Sequence, residues 1–225
     1  PFYFLSGEEP WYADYITDYI AENAIKDEEK DFNQTILYGS DVNAVDIVHA
    51  ARRYPMMAPR QVVIVREAQN LKDLSPLATY LDKPASTTIL VINYRAKLDN
   101  RIKLAQMLKK NSSAVYLVST KLKEYQVGPW ISNYLKSEGF DIDPKANNIL
   151  VEHLGNNLSN VTKALDKLKV ALGQGVSTIT SEHIEEYVGI SKDYNTFELQ
   201  KAITQGDILK ANKIARVFGQ NPKTY

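Results

Sequence analysis

The sequence predicts an α/β domain with a parallel five-stranded sheet, followed by a small helical domain and the first helices of another. Three observations predict it. Five short apolar runs in the first 120 residues lack polar alternation, which suits strands buried on both faces. Helical segments fall between several of them, and that alternation layers helices on a parallel sheet. Beyond residue 121 the strand-like runs stop and helix caps take over.

The runs are FYFLSG (2–7), NQTILYG (33–39), QVVIV (61–65), TTILVIN (87–93) and AVYLVST (114–120). Between the first two, residues 9–25 place Trp11, Tyr15, Tyr19 and Ile20 near one helical face. Ser40 or Asp41 can cap a helix reaching about Arg53, with Val42, Val45 and Val48 inside it. Residues 97–110 carry Leu98, Ile102, Ala105 and Leu108 on one helical stripe. These elements give a first domain over residues 1–121.

The next segments are helical. Residues 127–138 carry Trp130, Ile131, Tyr134 and Leu135. Asp143-Pro144 caps and starts a helix that Gly155 closes. Leu158, Val161, Leu165, Leu168 and Leu172 line a third, ended by Gly173, and Thr180 caps a fourth, ended by Gly189. Residues 122–190 therefore read as a helical domain. Asn195-Thr-Phe-Glu198 is a capping-box pattern, and helices are expected over about 196–205 and 207–218. Two helices rarely hold a core alone, and the sequence begins at Pro1 without an initiator Met. Both point to a piece of something longer, with 191–225 the start of a truncated domain.

Lys plus Arg equal Asp plus Glu at 27 each, so no global field draws the chain to nucleic acid or anionic lipid. The absence of cysteine excludes disulfides, thiol catalysis and thiolate metal sites and fits a reducing compartment. No apolar run approaches a membrane span. His49, His153 and His183 share no metal-ligand spacing and read as helix-surface residues.

An α/β domain before a helical one raises the prospect of a nucleotide-driven motor. That chemistry needs a glycine-rich loop whose N–H groups cradle phosphates, followed by Lys and Ser/Thr. Here the first run leads into SGEEPWYAD (6–14), with one glycine and, directly after it, two carboxylates, Glu8 and Glu9. They repel phosphate and suit a helix N-terminus instead. A motor also needs an acidic pair after its third strand, where this chain has Arg66-Glu67. The basic stretch 97–110 offers Lys97, Arg101 and Lys103 as possible DNA contacts, with a solvated helix face the simpler reading.

One stretch is odd. In RRYPMMAPRQVVIV (52–65), two of the chain's three methionines stand together between Pro55 and Pro59. Pro55 disfavours helix at Tyr54. Two placements fit equally: Met56 and Met57 tuck under QVVIV as core, or they protrude as a stiffened apolar tip.

Taken in order, the segments YFLSGEEPWYADY, ARRYPMMAPRQVVIVREAQNL, TTILVINYRAKLDNR, LKEYQVGPWI, GNNLSNVTKALDKL, ITSEHIEEYVG and YNTFELQKAI resemble the delta subunit of the bacterial DNA polymerase III clamp loader. The similarity covers nearly the whole chain. It implies an AAA+/RecA-like fold with a degenerate nucleotide site, a helical lid and a helical collar, in a cytoplasmic, non-catalytic subunit without cofactor. Three departures from nucleotide-using loaders agree with that loss: the missing phosphate loop, Arg66, and Ser159 of GNNLSN where a sensing arginine would stand. Asn93 resembles a sensor relic.

The resemblance also implies partners: the sliding clamp (beta subunit), the gamma/tau and delta prime subunits through the collar, and DNA in the assembled complex. In the family a bulky apolar pair enters a pocket on the clamp and helps open the ring. The pair aligns with Met56 and Met57, flanked by Pro55 and Ala58, although family members more often carry Leu or Phe there. A fragment ending in the collar should assemble poorly with the other loader subunits. A nucleotide-driven ATPase and a plain DNA-binding module are the alternatives.

Overall fold

A computed structural model of the protein describes residues 1–190 and 194–220. The chain divides into two compact units, residues 1–120 and 121–225. The expected domain start at residue 191 lies outside the described residues.

In the first unit, five strands form one parallel sheet: β1 (Phe2–Gly7), β2 (Gln34–Tyr38), β3 (Gln61–Arg66), β4 (Thr88–Tyr94) and β5 (Ala114–Ser119). Their order is β2-β3-β4-β1-β5. Side chains alternate across the sheet, so each inner strand feeds two cores. Phe2, Phe4, Val63, Val65, Leu90 and Ile92 face one core; Leu5, Val62, Ile64, Ile89 and Val91 face the other. Full burial of each such side chain contributes roughly 1.5–3 kcal/mol.

Helix α1 (Pro10–Asn23) covers the second face with Ala13, Ile16, Ile20 and Ala21. Its aromatic stripe lies elsewhere: Trp11 stacks on Tyr15, and Tyr15 and Tyr19 are exposed. Helix α2 (Asp27–Asn33) has no counterpart in the sequence reading, because DEEKDFN offers no apolar stripe, and it takes Asn33 out of the expected second strand.

The first face is covered by α3 (Ala44–Ala51), α4 (Ser75–Asp82) and α5 (Lys103–Lys110). The cap of α3 is Asn43 rather than Ser40 or Asp41. Asn43 Oδ1 accepts the N–H groups of Val45 and Asp46, and the Asp46 carboxylate accepts the N–H of Asn43, closing a capping box. Val42 therefore lies before the helix, Val45 faces outward, and Ala44, Ile47, Ala50 and Ala51 form the inner face. Helix α4 went unread because it is short. Helix α5 has 8 residues and begins six positions later than expected. Asp99 accepts the N–H of Arg101 at 2.9 Å and clasps its guanidinium at 2.8 Å, which holds a turn where a helix was expected. Leu98 still reaches the core, from a loop.

The loop after β1 is drawn tight against β5. Gly7 has φ +138°, and a Cβ there would meet Ser119 O at 2.0 Å. Ser119 Oγ donates to Ser6 O or Glu9 O, and Glu8 N–H donates to Ser119 O.

The second unit contains α6 (Glu124–Ser137), α7 (Pro144–Leu154) and α8 (Leu158–Leu172) around Val127, Ile131, Leu135, Ile149, Leu150, Val161, Leu165 and Leu168. Helix α6 starts at Glu124 rather than Val127. The expected cap of α7 is present: Asp143 Oδ1 accepts Ala146 N–H at 2.7 Å, and Gly155 follows at φ +62°. Gly173 and Gly189 close their segments with positive φ. Two strands of two residues, β6 (Asp141–Ile142) and β7 (Thr178–Ile179), pair in parallel; they are too short for periodicity to reveal. The short α9 (Ser181–His183) runs on into a π-helical turn, Ile184–Val188.

Helices α10 (Thr196–Thr204) and α11 (Ile208–Gln220) follow. Asn195 caps α10 through the N–H of Glu198. The carboxylate of Glu198 is 5% exposed and ion-pairs with Lys210 of α11 and Lys145 of α7. Burial pushes the Glu198 carboxyl up, but these lysines outweigh it and hold it below the usual value.

Two predictions follow from this packing. Gly7→Ala, strained in φ and colliding with Ser119, should destabilise the first unit by more than ~3 kcal/mol in urea unfolding. Because Glu198 is depressed on folding, its contribution is present above the ordinary glutamate value of 4.5 and is lost as pH falls through the lower folded value. Glu198→Gln should lower stability by about 1–2 kcal/mol at pH 7, and the difference from wild type should shrink below pH 4.5 in acid titrations followed by circular dichroism.

Candidate functional site

The methionine pair sits on the segment 52–60, between the end of α3 and the start of β3. Helix α3 stops at Ala51, and buried polar side chains receive the carbonyls that a helix end leaves unpaired. Thr88 Oγ1 donates to Ala51 O at 2.7 Å. Gln61 Nε2 lies within hydrogen-bonding distance of Ala50 O and Arg53 O, and of Thr88 Oγ1 at 2.9 Å. Gln61 and Thr88 are the first residues of β3 and β4, so the sheet's leading edge anchors the base of the loop.

Beyond that base the chain turns outward. Asn33, 3% exposed at the end of α2, grips the backbone of Met56 from across the structure. Its Oδ1 accepts Met56 N–H at 2.6 Å, and its Nδ2 donates to Met56 O at 2.9 Å. Met57 follows at φ +51°, a left-handed conformation uncommon outside glycine. Its side chain is wholly exposed and that of Met56 largely so, while Pro55 and Ala58 are half-buried. Of the two placements open to the sequence, the methionines take the protruding one. Tyr54 and Phe32, next in chain to Pro55 and Asn33, are also exposed. Asn33 escaped the sequence reading because its partner lies 23 residues away and leaves no local pattern.

At the opposite edge of the sheet, where α/β proteins place their ligands, charged side chains of the strand ends meet α1. Glu9 is buried, and its carboxylate accepts Trp11 N–H at 3.1 Å, so an acid of the chain itself caps the first turn of α1. Arg66 pairs with Asp18 of α1. Arg95 pairs with Asp14 at 3.0 Å and approaches Glu67 at 3.6 Å. Asn93, fully buried, donates to Asp14 and to Thr17 Oγ1, and its Oδ1 has no partner among the described residues.

The other candidates do not assemble into a site. Lys97 and Arg101 lie on the loop before α5 and Lys103 on its first turn, all exposed. Arg101 is bound to Asp99, whose carboxyl that hydrogen bond holds below the usual range. His49, His153 and His183 lie on three different helices. Among the described residues no cluster of three or more metal-ligating groups is present, and no helix is long and apolar enough to cross a membrane.

The fold has relatives. The structure of the Bacillus subtilis DNA clamp loader delta protein (YqeN) is similar with a TM-score of 0.71 and 26% identity, covering 98% of this chain and 68% of that one. The Thermotoga maritima RuvB Holliday junction branch migration motor is a far looser match, with a TM-score of 0.43 and 14% identity over 97% of this chain and 74% of that one. No curated protein sequence matches the chain. The parallel five-stranded sheet flanked by helices is of the AAA+ type, as in the delta protein. Residues 3–118 match the family model described as DNA polymerase III, delta subunit, and the chain belongs to that family.

Proposed function

We propose that this chain is a clamp-loader subunit that binds the sliding clamp through Met56 and Met57 and helps open its ring for loading on DNA. The observation that carries this reading is an apolar pair held fully outside the core on a preordered turn. A tip ordered before contact loses less entropy on binding. Burial of two methionine side chains supplies roughly 3–6 kcal/mol before those losses, enough to anchor an interface in which few residues dominate. Methionine is flexible and polarizable, which suits a pocket that is entered and left in each loading cycle. Pro55 and Ala58, half-buried, would complete the contact. If the tip binds an open ring better than a closed one, that difference alone shifts the ring toward open.

In this reading the protein is a non-catalytic, cytoplasmic part of the replication machinery. Glu9 at the α1 N-terminus and Arg66 on β3 oppose nucleotide phosphate and magnesium where a motor would hold them. Residues 122–190 then serve as the lid and 191–225 as the start of a collar that joins gamma/tau and delta prime. DNA contact at Lys97, Arg101 and Lys103 is a subordinate proposal, since Asp99 already engages Arg101.

The deciding experiment is calorimetric titration with the cognate sliding clamp. Met56→Ala/Met57→Ala should weaken binding at least a hundredfold, the equivalent of ~2.7 kcal/mol, while thermal unfolding stays unchanged. Equal binding by the double variant, or no binding by the wild type, would overturn the proposal. Millimolar ATP with magnesium should leave the unfolding temperature in place; a rise of several degrees would favour the ATPase reading instead.

A further inference from the structure

We infer that Asn33 is the positioning residue of the methionine tip, an inference that rests on the clamp-contact reading. The carboxamide does for Met56 what a neighbouring strand would do. It receives the N–H at 2.6 Å and supplies a donor to the C=O at 2.9 Å, so one peptide segment is held from both sides. A second donor position of Nδ2 reaches Glu29 O of α2 at 3.2 Å, tying the grip to a helix rather than to another loop. The group is 3% exposed, so water does not compete for these bonds.

This grip bears directly on Met57. The left-handed φ of +51° is strained for a residue with a side chain, and it persists only where the surroundings over-determine it. Pro55 and Pro59 limit the chain on either side but hydrogen-bond to nothing through nitrogen. Among the described residues, both hydrogen bonds of the Met56 backbone go to Asn33. Released from them, Met56 would exchange its partners for water and Met57 would relax to an ordinary conformation. Its side chain would then lose its fixed direction, and the clamp would have to order it during binding.

The test uses the intact chain and the cognate clamp. Asn33→Leu, branched at Cγ as asparagine is but unable to form either bond, should weaken clamp binding about tenfold. Asn33→Ala loses both bonds without adding apolar bulk and should weaken binding to a similar degree; it carries the test if the leucine variant folds poorly. A merely structural residue would lower affinity through global stability, so two further readouts apply. Hydrogen exchange at the Met56 amide should accelerate in both variants while the amides of Val63 and Ile64 stay protected. Met57→Ala should cost much less affinity in the Asn33→Leu background than in the wild type, since a misdirected side chain has less to lose. Unchanged affinity in a folded Asn33 variant, or additive losses in the double variant, would overturn this inference alone. A wild type that does not bind the clamp removes the functional reading and this one together.

Discussion

All five strands of the first unit run in one direction, and that constraint sorts the molecule into two chemically different edges. A parallel strand must return by a crossover before the next begins, so every loop that follows a strand lies at one edge and every loop that precedes one lies at the other. Gly7, Glu9, Arg66, Asn93, Arg95 and Ser119 collect at the trailing edge. Asn33, Gln61 and Thr88, which stand just before or at the starts of β2, β3 and β4, collect at the leading edge with the methionine tip. The tip is therefore anchored on residues whose position is set by strand pairing, and its distance from the trailing edge is the length of a strand.

The two edges are stabilised by different physics. At the trailing edge the ion pairs of Arg66 with Asp18 and Arg95 with Asp14 are partly exposed, so each contributes about 0–1 kcal/mol. Their weight lies in position: they tie α1 to the ends of β3 and β4. At the leading edge the bonds are neutral and wholly or partly buried. Each adds about 1 kcal/mol, and breaking one leaves a buried partner unsatisfied at a cost of roughly 1–3 kcal/mol. Removal of a single carboxamide is thus felt more at the tip's base than removal of a formal charge at the other edge.

The strands were legible because burial on both faces demands continuous apolar, β-branched runs, and QVVIV and TTILVIN leave little else to fold into. The glycine and aspartate caps of the second unit were legible for a similar reason: they act within four residues of one another. What escaped reading acts at a distance or against local pattern. Leu98 and Ile102 keep helical spacing with Ala105 and Leu108, yet Asp99 and Arg101 hold a turn between them. Trp11, Tyr15 and Tyr19 look like a buried stripe, yet Ala13 and Thr17 are the residues small enough to let α1 settle on the sheet. At the candidate site the methionines announced themselves through their flanking prolines, while the side chain that orients them looked like the first residue of a strand.

The trailing edge has a consequence for timing. A nucleotide influences a protein through its concentration and through its replacement by product, and either can be made to follow a clock. Asp14, Asp18, Arg66 and Arg95 are stitched into the chain that they hold; they cannot be diluted, hydrolysed or exchanged. If the tip engages the clamp as proposed, the signal that sets the moment arrives from another molecule, and the subunit answers to a schedule that it does not keep.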